Sequence, residues 1–370
     1  MTRETRERLV VGCMTGTSLD GLDTALMRIR GLGLEMRAEL LSTASRDLSS
    51  STDPSMGALR RLADNGPCHT AQISDAARSF SLFHAEVVHE LLQHAGIQHP
   101  DLICVHGQTV YHRPPLSWQL FNPWPLAQSV GCPVVFDLRG ADLAAGGQGA
   151  PITPLADWIL FRRAEPVVVV NLGGFCNITR LPAADAPDPI DLIDAKDVCA
   201  CNQLLDRVAR TVMGTPFDMN GAAAAAGRVH SEAVEELTRI LHAQSHAGRS
   251  LGTGDEAAAW AERWRQRIGL DLPRCAVEGI ARTIVRACAG GGPALLAGGG
   301  ANNTALVARL RELHTPRVLT TSDAGIAPEY REAACMAVLG ALCQDRVPIT
   351  LPRVTGVAAP APVAGCWVGV

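Results

Sequence analysis

Apolar runs broken by glycine-rich polar turns organise this chain. Residues 9–14, Leu-Val-Val-Gly-Cys-Met, predict a buried strand. A turn follows at 15–21, Thr-Gly-Thr-Ser-Leu-Asp-Gly, and partial alternation over 23–29 predicts a second strand. Such a hairpin can offer backbone N–H groups to an anion at its tip. Apolar residues at helical spacing over 71–95, among them Phe80, Phe83, Val87, Leu91 and Leu92, predict a helix. Short strands are expected at 102–105 and 133–136. Near residue 160 the pattern restarts. A valine run at 167–172 predicts a buried strand, 173–177 a polar glycine turn, and 178–181 a returning strand. An exposed loop is expected over 182–189, and helices over 202–212 and 276–289. Residues 290–293 form a turn and 294–297 a strand that ends in Gly-Gly-Gly-Ala-Asn-Asn. A helix over 304–313 follows, and the Pro/Ala/Val-rich tail after Asp345 carries no clear pattern. Strands separated by helices indicate an α/β architecture. The restart suggests two domains, 1–160 and 161–370, with the tail free to pack back on the first.

Composition narrows the class. A chain of 370 residues suits two domains of common size. It is 47% hydrophobic but only 4% aromatic, so its cores must rest on Ala, Val and Leu. The formal net charge is −4, with no basic patch of the kind nucleic acid demands and nothing that suggests a membrane surface. The 12 cysteines lie mostly in apolar runs and read as small buried hydrophobes, not a disulfide framework. Cys199 and Cys201 form a C-x-C, which lacks the second pair of a zinc site. The charged start and the short apolar stretch after it argue against a signal peptide or membrane span. A cytoplasmic protein is expected, and its oligomeric state, homodimer included, is left open.

Three glycine turns follow three buried strands. Glycine lets a backbone approach phosphate oxygens, although each turn alone is equally a tight bend. None fits the P-loop or the dinucleotide-binding pattern. One phosphate hairpin per lobe plus a later Gly-Gly-Gly turn point to an actin-like ATPase core.

The residues around these turns carry a specific resemblance. Gly12-Cys-Met-Thr-Gly-Thr-Ser-Leu-Asp-Gly-Leu-Asp23 resembles the opening signature of the anhydro-N-acetylmuramic acid kinases. His106-Gly-Gln-Thr109 resembles their H-G-Q-T element, and 137–151 their D-F-R-x-x-D-x-A-A-G-G-Q-G-A-P element. Asn171-Leu-Gly-Gly-Phe-Cys-Asn177-Ile-Thr is similar to N-x-G-G-x-x-N-x-T, and 298–303 to the late G-G-G-x-x-N. Gly325-Ile326 and Glu332-Ala333 resemble the closing G-I and E-A. The matches keep family order across nearly the whole chain.

The resemblance implies an α/β, two-lobed actin-like (ribonuclease H-like) fold with mixed sheets and a cleft between lobes. It implies an ATP-dependent kinase that opens the 1,6-anhydro ring of a small sugar with water while phosphorylating O6. The product would be N-acetylmuramic acid 6-phosphate, in cell-wall sugar recycling. ATP would lie against Gly16, Thr17, Ser18, Leu19, Asp20, Gly21, Leu22 and Asp23, against Gly173, Gly174 and Asn177, and against Gly298, Gly299, Gly300 and Asn303. Mg²⁺ is expected with it, held near Asp20 and Asp23 through water. Its ligands are not fixed by the sequence.

The catalytic base resembles the first Asp of D-T-G-P-G-N-x-L-x-D. Here the stretch reads Asp197-Val-Cys-Ala-Cys-Asn202-Gln-Leu-Leu-Asp206, so the spacing stays while the threonine, glycines and proline are gone. Asp194 is a rival with the wrong spacing. Water is a poor nucleophile and needs a positioned carboxylate. Val198, Cys199 and Ala200 carry Cβ atoms and resist positive φ, so a loop of different shape is expected. Arg139 could hold a sugar carboxylate or phosphate, or instead pair with Asp137 or Asp142. His106, Gln108, Gln148 and Glu332 complete the expected sugar site, with a buried strand end for His106 and a helix-surface charge for Glu332 as the structural alternatives. Phe217-Asp-Met-Asn-Gly221 is similar to Y-D-x-D-G with one acid lost, and K-[ST]-T-G-R-E survives only as Gly252-Thr-Gly-Asp-Glu256. These departures leave open a kinase of another anhydro-sugar or a non-catalytic ATP- or sugar-binding descendant. From fold alone, an actin-like ATPase of chaperone or filament type also stands.

Overall fold

The computed structural model describes residues 6–16, 19–48, 51, 53–245 and 255–369. They form two compact units, Met1–Phe161 with Tyr330–Val370, and Arg162–Glu329.

The first unit opens with the expected hairpin, β1 (Glu7–Thr15) against β2 (Gly21–Arg30), and continues into β3 (Arg37–Asp47). No residue of β3 is buried, seven being partly buried and four exposed, so it shows little of the alternation that reveals a strand. Helices α1 (Ser55–Ala63) and α2 (Thr70–Ala95) follow. The Gln72 side chain accepts from His69 N–H at the start of α2, and Gly96 takes φ 67° just past its end, a left-handed cap that glycine adopts without a Cβ penalty. Then come β4 (Leu102–Val105), a hairpin of β5 (Gln108–Arg113) and β6 (Leu116–Leu120), α3 (Pro123–Val130), β7 (Val134–Phe136), α4 (Gly140–Ala144) and α5 (Pro154–Phe161).

The second unit restarts with β8 (Val167–Leu172), β9 (Phe175–Leu181) and β10 (Asp194–Ala200). Here two expectations are corrected. Residues 175–177 belong to the strand, leaving Gly173 and Gly174 as the whole turn, because they pair with β8 and β10. The stretch around Asp197 is a strand rather than a loop. Helices α6 (Asn202–Met213), α7 (Ala222–Ala226), α8 (Ser231–Ser245), α9 (Asp255–Ile268) and α10 (Leu272–Cys288) lead to β11 (Ala294–Ala297), α11 (Thr304–Leu313) and β12 (Val318–Thr320). The chain then rejoins the first unit as α12 (Arg331–Gln344), α13 (Pro352–Thr355) and β13 (Cys366–Val368).

The two main sheets share one plan. Strands run β13-β7-β4-β1-β2-β3 in the first unit and β10-β9-β8-β11-β12 in the second. In each, the first three strands of the unit form an antiparallel meander and the later ones add in parallel to the first. This repeated order is the actin-like, ribonuclease H-like fold. β13 adds an antiparallel edge to the first sheet, which gives the unpatterned tail its place.

Packing explains the small-residue composition. Gly12 of β1 lies under α12 so closely that a Cβ there would sit 1.9 Å from the Ala333 carbonyl oxygen. A Cβ on Gly340 would sit 2.6 Å from that of Cys104. α12 is buried on nearly all sides, so it has no polar face to give a helical period. The second core gathers β8, β10, α6, α8 and α10 around fully buried Trp260, whose indole N–H donates to the Ala233 carbonyl (3.0 Å). Burying each large aliphatic side chain contributes about 1.5–3 kcal/mol. No helix among the described residues is long and apolar enough to cross a membrane.

Candidate active site

In both units several expected site residues follow the carboxyl ends of parallel strands, where open α/β sheets bind ligands, whereas Asn177 and Asp197 lie within β9 and β10 and Glu332 lies on α12. In the first unit three neighbouring strands, β1, β4 and β7, lead into the 16–21 turn, His106 and the 137–151 loop.

His106 is the hub of the first unit. Its backbone N–H donates to Cys13 O (3.1 Å), tying it to β1. Arg139 only donates, so its Nη2 (2.8 Å) and Nε (3.2 Å) contacts make His106 Nε2 the acceptor. Nδ1–H then donates to Gly107 O (2.8 Å), with Gly107 at φ 77° to bring that carbonyl round. Burial, with the Arg139 charge beside it, pushes His106 down to about 3, so the ring is neutral at physiological pH.

Arg139 makes neither expected ion pair. Its third contact is Nη1–H to Gly149 O (2.6 Å). Asp137, at φ 51°, accepts from Gly140 N (3.0 Å) and closes its own turn. Fully buried Asp142 accepts from Gly149 N (2.7 Å) and from the Thr355 hydroxyl (2.7 Å). Burial pulls the Arg139 guanidinium down to about 10 against the pull of Glu332 and Asp142, leaving it cationic at neutral pH. A guanidinium has five N–H donors, and three of them are engaged here. Glu332 stands half-buried in the first turn of α12 and acts electrostatically on Arg139. Gln108 is fully buried. Its amide donates to Thr109 O (3.2 Å) and its Oε1 has no partner among the described residues. Gln148 presents an exposed side chain while its N–H donates to Thr355 O (2.8 Å). The structure thus joins His106, Arg139 and Glu332, keeps Gln108 two residues from His106, and leaves the Gln148 side chain exposed.

The first turn contributes mainly backbone. Leu19 (φ 56°) donates from N–H to Gly16 O (3.2 Å), and the side chains of Leu19 and Leu22 are core residues. Asp20 is exposed. Asp23 pairs with Met14 in the ladder from Gly21 onward. Thr17, Ser18 and 252–254 lie outside the described residues.

The second unit aligns a polar row. Asp197 pairs with Asn177, Asn177 with Asn171, and Asn171 with Ala297, across four strands. Asp197 is half-buried at the last pair before a bulge in β10. Val198, Cys199, Ala200 and Cys201 beyond it are core residues, and burial raises both thiols. None of them takes a positive φ, so the lost glycines are replaced by extended strand. The N–H groups of Cys201, Asn202 and Gln203 donate to the Gly173 and Gly174 carbonyls (2.9–3.2 Å). Asn202 Nδ2 donates to Leu172 O (3.0 Å). Cβ atoms on Gly298 and Gly300 would meet Leu172 O at 2.9 and 2.8 Å, whereas one on Gly299 would meet nothing within 4 Å. Gly298 and Gly300 therefore permit close packing, and Gly299 faces open space. Asn303 caps α11 by accepting from Leu306 N (3.0 Å), so its side chain serves the helix.

Asp142, Thr355 and Asn202 were not legible as a scaffold. Thr355 in particular sits in the unpatterned tail and meets Asp142 only in the fold.

Two buried imidazoles give a pH prediction. His84 of α2 donates from Nδ1 to Phe80 O (2.8 Å), and burial lowers it to about 4. Below pH 6.5 the unfolded chain binds protons that folded His84 and His106 refuse. Stability from both is present above pH 6.5 and lost as pH falls toward their folded values. Each contributes a limiting slope of about 1.4 kcal/mol per pH unit. Urea unfolding at pH 7, 6 and 5 should show this fall, and His84→Leu should remove about half of it. An unchanged slope in that variant contradicts the assignment.

The chain is similar to known proteins along nearly its whole length. Residues 8–367 match the family described as anhydro-N-acetylmuramic acid kinase. A Bordetella pertussis protein of that name is 34% identical over 94% of this chain and 93% of its own. Relatives of the same name from Gloeobacter violaceus and Salinibacter ruber are each 33% identical, over 94% and 96% of this chain and 95% of theirs. The chain belongs to the anhydro-N-acetylmuramic acid kinase family.

Proposed function

We propose that this protein uses ATP to convert 1,6-anhydro-N-acetylmuramic acid to N-acetylmuramic acid 6-phosphate in cytoplasmic cell-wall sugar recycling. The observation that carries the substrate is Arg139. Its guanidinium is held by a neutral imidazole and a carbonyl, not by a hydrogen-bonded carboxylate. Its charge and two remaining N–H donors suit the lactyl carboxylate that distinguishes muramic acid from other anhydro-sugars.

Asp197 takes a proton from water as the oxygen attacks the anomeric carbon. The C1–O6 bond breaks, O6 takes the γ-phosphoryl group, ADP leaves, and Asp197 returns its proton to solvent. Glu332 and Gln108 hydrogen-bond the sugar. The Gly173–Gly174 and Gly298–Gly300 turns hold the nucleotide through backbone, with Gly299 at the open approach. Asp20, exposed beside the first turn, and Asp23 would hold Mg²⁺, which takes few protein carboxylates and fills its shell with water and phosphate oxygens. When bound it would neutralise phosphate charge during transfer.

The test measures ADP release with 1,6-anhydro-N-acetylmuramic acid and with 1,6-anhydro-N-acetylglucosamine, which lacks the lactyl group. A preference of about 100-fold or more for the muramic sugar is expected. Equal rates would favour another anhydro-sugar. ATP binding without turnover on either would favour a non-catalytic descendant.

A further inference from the structure

Glu332 follows a side chain that has no reason to be buried unless it is held. Arg331 is 1% exposed and Asp157 of α5 is fully buried. Arg331 Nε donates to Asp157 Oδ1 (2.8 Å), Nη2 donates to Asp157 Oδ2, and Nη2 also reaches Thr153 Oγ1 (3.3 Å). One helical turn on, the Cys335 thiol donates to the same carboxylate (3.6 Å). Two positions of α12 are thereby pinned to one acid. The N-cap Tyr330 makes no side-chain capping bond, so these two contacts anchor the start of the helix. Glu332 lies one residue beyond Arg331 and acts electrostatically on both Arg331 and Arg139.

We propose that the Asp157–Arg331 pair is a positioning device that fixes the first turn of α12 and so places the Glu332 carboxylate against the sugar. The inference rests on the proposed kinase reading. Arg331 does not touch substrate. It acts through Glu332, and its planar fork sets direction as well as charge, which a lysine does not.

A merely structural pair and a positioning pair behave differently when both partners are removed. Arg331→Met alone leaves Asp157 charged and buried, so the thermal midpoint should fall sharply. Adding Asp157→Leu removes that charge and should restore the midpoint to near wild type. The restored protein should still show kcat/KM lowered by about 30–100-fold, the scale of a small misplacement of a binding group. Glu332→Gln should then cost about 100-fold in the wild-type background but less than about 3-fold in the double variant, because both changes remove one function. Arg331→Lys is the second variant should the double one not fold. It keeps a charge beside Asp157, should fold, and should lower kcat/KM by about 5–20-fold, again without adding to Glu332→Gln. Wild-type kcat/KM in the refolded double variant or in Arg331→Lys, or full additivity with Glu332→Gln, overturns the proposal. Absence of sugar-dependent turnover in the unmodified protein sinks the kinase reading itself, and this inference with it.

Discussion

Asp197→Asn is expected to lower kcat by about 10²–10⁴-fold while leaving ATP affinity unchanged. The amide keeps the size of the side chain and its place in the row with Asn177 and Asn171, so β10 should pair as before. It cannot take a proton from water at neutral pH. The Gly173–Gly174 turn, proposed to hold nucleotide, is held by backbone contacts such as Cys201 N–H to Gly174 O. Steady-state ADP release and calorimetric ATP binding on one preparation test this. Asp194→Asn is the control, since Asp194 lies three residues away at the start of β10, opposite Arg180. Full turnover in Asp197→Asn, or loss confined to Asp194→Asn, would move the base elsewhere.

Arg139→Met should lower kcat/KM for the anhydro-muramic sugar by about 10²–10³-fold, with cooperative thermal unfolding retained. Methionine fills similar space but removes the fork between His106 and Gly149. Two effects on stability oppose each other. The variant relieves the burial of a cation that stands at about 10, and it also strands the His106 and Gly149 acceptors. Activity should therefore fall far more than stability. Arg139→Lys should recover less than about tenfold, because one ammonium cannot span both acceptors in the same plane. A variant that turns over the muramic sugar normally would remove the argument for lactyl recognition.

The legible parts of this protein are those in which local pattern and fold agree. Leu102–Val105 and residues 167–170 are continuous apolar runs and lie in buried strands, the second extending to Leu172. The repeated strand, glycine turn and strand became the paired hairpins at the head of each sheet. What stayed hidden depends on partners distant in sequence. Between Glu332 and Gln344, α12 is apolar around its circumference, so no stripe marks it. The strand at Asp197 reads as a polar loop because Asp194, Lys196 and Asp197 dominate its first half, and only pairing with β9 makes it extended. Arg139 beside Asp137 and Asp142 suggests an ion pair by proximity along the chain. The fold instead gives Asp142 to Thr355 and Gly149, and gives Arg139 to His106. Motif order brings the candidate residues to the ends of neighbouring strands, but which side chain holds which is a tertiary matter.

The altered stretch after Asp197 bears on activity. Its residues are buried strand and helix start, with Ala200 N–H donating to Gln244 Oε1 (3.2 Å) and the α6 donors closing on the Gly173–Gly174 turn. The carboxylate thus sits on ordered β-structure, a firmer mount than a loop.

The central claim is that water opens the anhydro ring while O6 receives the phosphoryl group. Turnover of 1,6-anhydro-N-acetylmuramic acid with Mg-ATP in ¹⁸O-enriched water tests it most directly, with mass spectrometry of the product. The account predicts one ADP per sugar 6-phosphate, with label initially at the anomeric oxygen and none in the phosphate. ADP formed without sugar phosphate, or label appearing in phosphate, would contradict it.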